Sequence, residues 1–515
     1  MRLPTKHIEF LEEFERFSSV AELLRFAKFK NQCRENGFRV VEPATVENEN
    51  VACSGSFDPI TRGHLDLFLS VLKFSPRKLT IAIATNPDKK PEVFAPLERK
   101  KFIEAEMRAV KIPPEKVEII VVPSCRFLVD ELDLRGISKV IRSGIRNKLE
   151  LEPEIKLANH NLVENQRVET LFFQNNPEVE FISSSATKLI DKLGGISAHE
   201  YVSARVLHAL QARNRGVYFL GVTGISGSGK SIISIELKNH FCKNEIPAHH
   251  INFDKLAHEI LSTDSTPKFV KTRQILVETF GNEISNPDGS IDRSKLGEIV
   301  FGDAKKVVRL NEIMRNPILL NLKRNLHGKK GVVILDAALL VEFGLTHLTN
   351  QNILLVDADE NSVNSAVANR DEIDRDLAKK RNSHALSTEK KRQKIQEKID
   401  DEKYGNLIEI KNNRETAPQN LAEKVVPEIL RVLDIFGELR IKSVLQKFKI
   451  VDTDAVYKMI KSHYLEFHRK HYNSDNLTFG LDILDKLRDK LELSDTEFRK
   501  LKLTVAQIFR DMVPL

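Results

Sequence analysis

The sequence predicts an α/β protein of two successive parallel-sheet units with helical extensions at both ends. Three observations carry that prediction. From Val51 onward short apolar runs alternate with helical ones, the pattern of a parallel sheet covered by helices. The alternation restarts at Val217 after a helical stretch. Each series opens on an apolar run that leads into a glycine-containing turn, "VACSGSFDPITRGH" at Val51–His64 and "GVTGISGSGKS" at Gly221–Ser231.

In chain order, residues 1–48 read as one or two amphipathic helices, with Phe10, Leu11, Phe14 and Phe17 at helical spacing. The polar, acidic "VEPATVENEN" that follows reads as a linker. Strands are expected at Leu79–Thr85, Val117–Pro123, Lys139–Gly144 and Val168–Gln174, separated by helical segments such as "PLERKKFIEAEMRAV". Residues 197–214 read as a connecting helix. Later strands are expected at Val217–Gly224, Gly331–Val341 and Asn352–Ala358. Arg370–Lys403 is highly charged and helical, and residues 437–515 are helical throughout. The expected organisation is therefore an N-terminal helical extension (1–48), a first α/β domain (49–196), the connecting helix, a second α/β domain (215–436) and a helical C-terminal region (437–515). In that last region "YKMIKSHYLEFHRKHY" sets aromatic residues at helical spacing, as a bundle packed on the second domain or a contact for a protein partner or oligomer would.

A length of 515 residues exceeds one core, and the net charge of +7 is small beside 80 basic and 73 acidic residues. That balance gives no reason to expect a nucleic-acid partner; it suits anionic small ligands or an ordinary solvated surface. The four cysteines, Cys33, Cys53, Cys125 and Cys242, show no metal-binding spacing and imply a reducing compartment. No apolar run approaches 18 residues, so no integral membrane segment is expected, and the start of the chain lacks a secretory pattern. A cytoplasmic enzyme is the expectation, with mitochondrial association left open.

Gly224-Ile-Ser-Gly-Ser-Gly229-Lys230-Ser231 has the full phosphate-loop spacing between a strand and a helix. Glycines let backbone N–H groups turn toward phosphate oxygens, and the helix start adds positive potential. Gly224, Gly227, Ser228 and Gly229 would cradle ATP, Lys230 would bridge its outer phosphates, and the Ser231 hydroxyl would hold Mg²⁺. Asp254 follows Lys230 at the end of a short apolar segment. It either orients and deprotonates an acceptor hydroxyl or caps the helix after it.

These pieces, with "FDKLAHEIL", "DGSIDRSKLGEIVF", "LNEIM", "DAALLVE" and "LLVDAD", resemble the dephospho-coenzyme A kinase family over residues 217–435. The resemblance implies that Asp254 accepts the ribose 3′-hydroxyl proton as that oxygen attacks the γ-phosphorus of ATP, and that Arg370 is a lid arginine. Three positions depart from the family pattern: Asn252 stands in its two-Asp pair, Arg315 replaces a His in "LNEIMRNP", and a second lid arginine is Ala366.

In the first turn Gly55-Ser56-Phe57-Asp58-Pro59 is followed by Thr61-x-Gly63-His64 at a helix start. Gly63 would leave room for a phosphate. His64 and the helix start can donate to a phosphoryl oxygen as one phosphate attacks another, without an enzyme nucleophile. With "ATNPDKKPEVFAPLERK", "IRSGIRNKLELEPEIKLANHN" and "FISSSATKLI", this region resembles the T/HxGH nucleotidyltransferases, and among them the bacterial-type phosphopantetheine adenylyltransferase family, over residues 50–195. The resemblance implies a Rossmann-like nucleotidyltransferase domain followed by a P-loop kinase domain. It implies that Ser56 and Lys89 hold the phosphate of 4′-phosphopantetheine and that His64 and Ser183, Ser184 and Ser185 stabilise the transferring phosphate and pyrophosphate. Phe57, Arg146 and Glu154 would lie near ATP. Where the family reads Arg-Gly-Leu-Arg, this chain reads Arg142-Ser143-Gly144-Ile145-Arg146, so that either Arg142 contacts the acceptor across a bulge or Ser143 takes its place.

The two resemblances are consecutive steps of one pathway, in the order of the bifunctional coenzyme A synthase family. Small-molecule partners follow: 4′-phosphopantetheine, dephospho-coenzyme A and ATP. Two other readings fit the same halves, a nicotinamide-mononucleotide adenylyltransferase fused to a nicotinamide riboside kinase, and a scaffold whose kinase half is degenerate. "FISSS" and "DGSIDRSKLGEIVF" favour the coenzyme A reading, whereas Asn252, Arg315 and Ala366 motivate the scaffold.

Overall fold

A computed structural model describes residues 20–84, 92–123, 125–143, 148–300, 303–371 and 386–448, and beyond them shorter stretches, chiefly 493–510. The chain forms two compact units, Met1–Thr187 and Lys188–Leu515. Each is built on a parallel sheet.

The strands of the first unit are β1 (Arg39–Val40), β2 (Asn50–Gly55), β3 (Lys78–Ile83), β4 (Val117–Val121), β5 (Lys139–Arg142) and β6 (Glu169–Phe172). They lie in the order β1-β6-β5-β2-β3-β4. The apolar runs at Val51–Cys53 and Leu79–Ile83 are the sheet centre, with Val51, Cys53, Leu79 and Ile81 fully buried. Strand order reverses at β2: β3 lies on one side of it and β5 on the other, which makes the carboxyl end of β2 the switch point where such sheets hold ligands.

The N-terminal segment is less purely helical than its periodicity implies. Val20–Glu35 is a helix, yet Arg39–Val40 adds a sixth, edge strand, with the N–H of Val41 donating to the carbonyl of Phe172. Phe26, Phe29 and Cys33 pack with Val40, Ala158 and Phe172, so this segment shares the core of the first unit. The expected linker is partly helical, Pro43–Val46 forming one turn; Thr45 donates from its hydroxyl to the carbonyl of Glu42. Phe10, Leu11, Phe14 and Phe17 lie outside the described residues.

The second sheet contains β7 (Val217–Thr223), β8 (Ala248–Asn252), β9 (Gly331–Asp336), β10 (Asn352–Asp357) and β11 (Asn406–Lys411), ordered β11-β10-β7-β9-β8. β7 is buried along its whole length, and it too is a switch point, since the chain leaves it for the far edge before returning to lay β9 alongside. β9 ends at Asp336, earlier than the apolar run to Val341 implies, because residues 338–344 turn. Two strands escape the sequence pattern. β8, "AHHIN", is polar at its centre, and β11 is an edge strand with only Ile408 and Ile410 buried. The connecting segment forms a short 3-10 turn, Ile196–Glu200, and a helix, Ala204–Arg215, ended by Gly216 at φ 64°.

Candidate active sites

In the first unit the chain leaves β2 through Gly55, Ser56 and Phe57. Phe57 has φ 47° and a buried ring. A Cβ on Gly55 would sit 2.9 Å from that ring, so the turn demands glycine there. The carboxylate of Asp58 accepts the backbone N–H groups of Val93 and Phe94, each at 3.0 Å. Beneath the turn lies Arg99, 1% exposed, which donates to the carbonyls of Phe94 (2.8 Å) and Ser56 (3.1 Å) and pairs with Glu92 at 3.0 Å. Sequence reasoning missed Arg99 because one arginine in a charged helix looks like solvated surface.

Thr61 opens the helix Arg62–Lys73. Its backbone N–H donates to Nδ1 of His64 at 3.0 Å, and its hydroxyl lies 2.9 Å from the same nitrogen. An N–H aimed at Nδ1 assigns the proton of the neutral imidazole to Nε2. The ring is held edge-on to Phe57, with centroids 5.0 Å apart and planes at 87°. The result is an oriented donor at a helix start, the arrangement that stabilises charge on a phosphoryl oxygen.

Gly63 has a tighter reason than room for a phosphate. Its missing Cβ would meet the carbonyls of Ile182 at 3.1 Å and Val179 at 3.3 Å. Glycine thus lets the turn before Ser183 close on the helix, and Nδ2 of Asn175 donates to the Gly63 carbonyl at 2.8 Å. That packing brings the serines to the β2 turn. Ser184 donates to the carbonyl of Pro59 at 2.7 Å, Ser183 accepts from the N–H of Ala186 at 3.2 Å, and Ser185 is exposed. Arg142 and Glu154, assigned to acceptor and ATP separately, are joined. They form a two-pronged pair at 2.8 and 3.0 Å, while Arg142 also donates to the carbonyl of Ser54 at 3.0 Å. Lys89 and Arg146 lie outside the described residues.

In the second unit β7 runs into the phosphate loop. A Cβ on Gly224 would lie 2.3 Å from the carbonyl of Val356. Gly227 and Gly229 both have φ 89°. Two side chains that follow β11 hold the loop from behind: Asn412 donates to the carbonyl of Ser228 at 2.9 Å and Arg414 to that of Gly227 at 3.0 Å. Tying these carbonyls down orients the loop's own N–H groups the other way. Neither residue was identifiable from sequence, where 184 and 187 residues separate them from their partners in the loop. The Ser228 hydroxyl is buried and without a hydrogen-bond partner among the described residues.

Lys230 is 5% exposed and starts the helix Lys230–Lys243. Facing it at the end of β9 is Asp336, 1% exposed. Oδ2 of Asp336 accepts from Nδ2 of Asn252 at 2.7 Å and from Nε2 of His250 at 3.1 Å. Burial opposes the charge of Asp336, yet the hydrogen bonds from His250 and Ser231 and the nearby Lys230 hold its carboxyl below the ordinary range. Its other oxygen, Oδ1, has no hydrogen-bond partner among the described residues. An acidic, buried oxygen close to a serine hydroxyl suits a hard divalent cation shared with phosphate oxygens. Asp336 begins the "DAALLVE" run, but its position beside Ser231 is a product of the β7–β9 pairing, in which it lies opposite Val222.

The cap that sequence allowed for Asp254 is taken by Asn252. The helix Phe253–Leu261 is capped by Asn252, whose side-chain oxygen accepts the N–H of Lys255 at 3.0 Å. Asp254 is exposed in the first turn. His258 lies one turn on; burial and Arg293 lower its pKa, and Asp254 raises it. Lys391 is buried against the carboxylate of Glu342 and the carbonyl of Ala338, and burial lowers its pKa against the pull of Glu342. Arg315 is exposed on the long helix Ala304–Leu326, and Ala366 lies in the helix Glu360–Asp371. Arg370 lies in the last turn of that helix, and its side chain lies outside the described residues.

Among the described residues no three His, Cys, Asp or Glu side chains gather as a ready metal site, and no helix is long and apolar enough to cross a membrane. A cytidylyltransferase-like family model matches residues 52–189 and a dephospho-CoA kinase model residues 218–404. A phosphopantetheine adenylyltransferase of Rhodospirillum rubrum is 35% identical over 27% of this chain and 79% of its own length. A dephospho-CoA kinase of Dehalococcoides mccartyi is 35% identical over 29% of this chain and 72% of its own. A dephospho-CoA kinase of Bacillus cereus is 30% identical over 39% of this chain and 96% of its own.

Proposed function

We propose two consecutive reactions for this chain, which belongs to the phosphopantetheine adenylyltransferase family through its first unit and to the dephospho-CoA kinase family through its second. The first transfers an adenylyl group from ATP to 4′-phosphopantetheine and releases pyrophosphate. The second phosphorylates the ribose 3′-hydroxyl of the dephospho-CoA so formed. One observation carries the pairing: the relatives of the second unit are named for the compound that the relatives of the first would make. The same names in both halves disfavour the nicotinamide reading.

In the first reaction a phosphate oxygen of 4′-phosphopantetheine attacks the α-phosphorus of ATP as the bond to the bridging oxygen of pyrophosphate breaks. His64 Nε2–H donates to the oxygens on which charge collects. Gly63 and the serines Ser183 to Ser185 shape the site beside it, with Ser56 and Phe57 in the β2 turn. Arg142, braced by Glu154, presents its charge to the acceptor phosphate. Lys89 and Arg146 complete the anion binding by analogy with the family.

In the second reaction the loop Gly224–Ser231 and Lys230 hold ATP. The acceptor hydroxyl attacks the γ-phosphorus, its proton passes to Asp254, and ADP leaves. That Asn252, not Asp254, caps the helix supports this role by leaving the Asp254 carboxylate for substrate. Arg370 would close on the phosphates. Mg²⁺, held by Ser231 and Asp336, would neutralise phosphate charge when bound. The orphaned Oδ1 of Asp336 supports that assignment. Buried thiols at Cys33 and Cys53 support a reducing, cytoplasmic setting.

The test is product analysis of the purified protein given 4′-phosphopantetheine, ATP and Mg²⁺. Coenzyme A with pyrophosphate and ADP is expected; absence of any adenylylated product would overturn the reading.

A further inference from the structure

We propose that the second unit carries a third anion site, remote from its phosphate loop, that takes a small molecule bearing two or more phosphate groups on an organic body. A cleft of about 1020 Å³ is lined by Gly216, Pro247 and Gly331, which precede or begin β7, β8 and β9. It therefore opens at the amino ends of these strands, whereas the phosphate loop follows their carboxyl ends. A strand of seven residues sets the two roughly 20 Å apart. The volume matches that of sites for cofactor-sized ligands.

The lining is strongly basic. Seven Lys or Arg residues face two Glu residues. Two cations are already paired, Arg215 with Asp191 at 3.4 Å and Lys442 with Glu438 at 2.8 Å. Lys323, Lys329 and Lys330 have no carboxylate within ion-pair distance among the described residues. Lys323 sits in the last turn of Ala304–Leu326 and complements that helix's dipole. Lys329 and Lys330 lie beyond the helix, and no such account covers them. Like charges crowded on a concave wall repel one another and raise the local potential for anions. Another part of the wall comes from the helix Glu438–Lys447 and from Thr453 and Tyr457 beyond it, and is mixed in character: Glu438, Lys442 and Gln446 stand beside the largely buried Leu439 and Tyr457. A cleft of this volume, with the exposed side chain of Leu193 among its lining beside the lysines, fits a phosphorylated organic molecule better than a simple ion. It also gives the C-terminal region a task, since six of its residues line this cleft.

Amine labelling of the intact protein tests this. Lys323, Lys329 and Lys330 are acetylated at limiting reagent, with and without coenzyme A, ATP or inorganic tripolyphosphate, and quantified by mass spectrometry. At least fivefold protection of Lys329 and Lys330 by coenzyme A or ATP is expected. Protection by the nucleotides and not by tripolyphosphate assigns the organic body a share of the binding; protection by all three assigns the phosphates alone and overturns the organic body's part in the site. The triple variant Lys323→Gln/Lys329→Gln/Lys330→Gln should bind one equivalent of ligand fewer by calorimetry while keeping both basal activities, and the corresponding Arg variant should restore that equivalent. No protection by any ligand, or unchanged stoichiometry in the Gln variant, overturns the site. Neither result bears on the two reactions, which use other residues.

Discussion

His64 illustrates how much of a site one hydrogen bond decides. The motif offers an imidazole, and the backbone N–H of Thr61 selects which of its nitrogens donates outward. Replacing His64 with Ala should lower adenylyl transfer about 100- to 1000-fold, the loss typical of one preorganised donor, and leave phosphorylation of supplied dephospho-CoA unchanged; the two rates measured separately check this. Asn252, which departs from the family pattern, has two tasks here. Its oxygen caps a helix and its amide nitrogen donates to Asp336. Asn252→Ala should therefore cost about 1 kcal/mol of stability through the lost cap and weaken Mg²⁺ dependence of phosphorylation about 10- to 100-fold, as removal of a ligand's supporting partner does. Denaturant unfolding and a metal titration of the rate read the two effects apart.

At the level of elements, loops do the chemistry and distant segments hold them. The phosphate loop was legible because its spacing is local. Its supports were not: Val356, Asn412 and Arg414 meet it only because β10 and β11 are laid beside β7. Gly224→Ala should unseat the loop from the Val356 carbonyl, destabilise the second unit by more than about 1 kcal/mol and abolish phosphorylation with adenylyl transfer retained, as thermal unfolding and the two assays would report. The connecting helix is another such tie. His208 is fully buried, bonded to the Tyr404 hydroxyl at 2.7 Å and the Leu433 carbonyl at 3.0 Å, and burial pushes its pKa down to about 4. Its unfolded form binds a proton near pH 6.5, so its contribution is present above that pH and is lost as pH falls from about 6.5 to about 4, by about 3 kcal/mol in all. Urea unfolding across that range should show a shallower fall in stability for His208→Gln than for the natural protein; parallel curves would contradict the assignment.

For the whole molecule, the sites sit in separate compact units, each at the switch point of its own sheet. Lys230→Ala should stop phosphorylation and leave adenylyl transfer at its normal rate, and assays started from each substrate would show whether the sites act independently. The two-sheet plan, most strands, both turns and the families were determined by the sequence alone. Apolar alternation reports burial of parallel strands directly, and a phosphate-binding turn needs its glycines and donors within a dozen residues of one another. The tertiary structure decided the rest. It added an edge strand from the N-terminal segment, paired Arg142 with Glu154, gave Gly63 a carbonyl contact, and set Asp336 against Ser231. These depend on which strands become neighbours, and strand order is the sum of many weak, long-range contacts that no local pattern encodes.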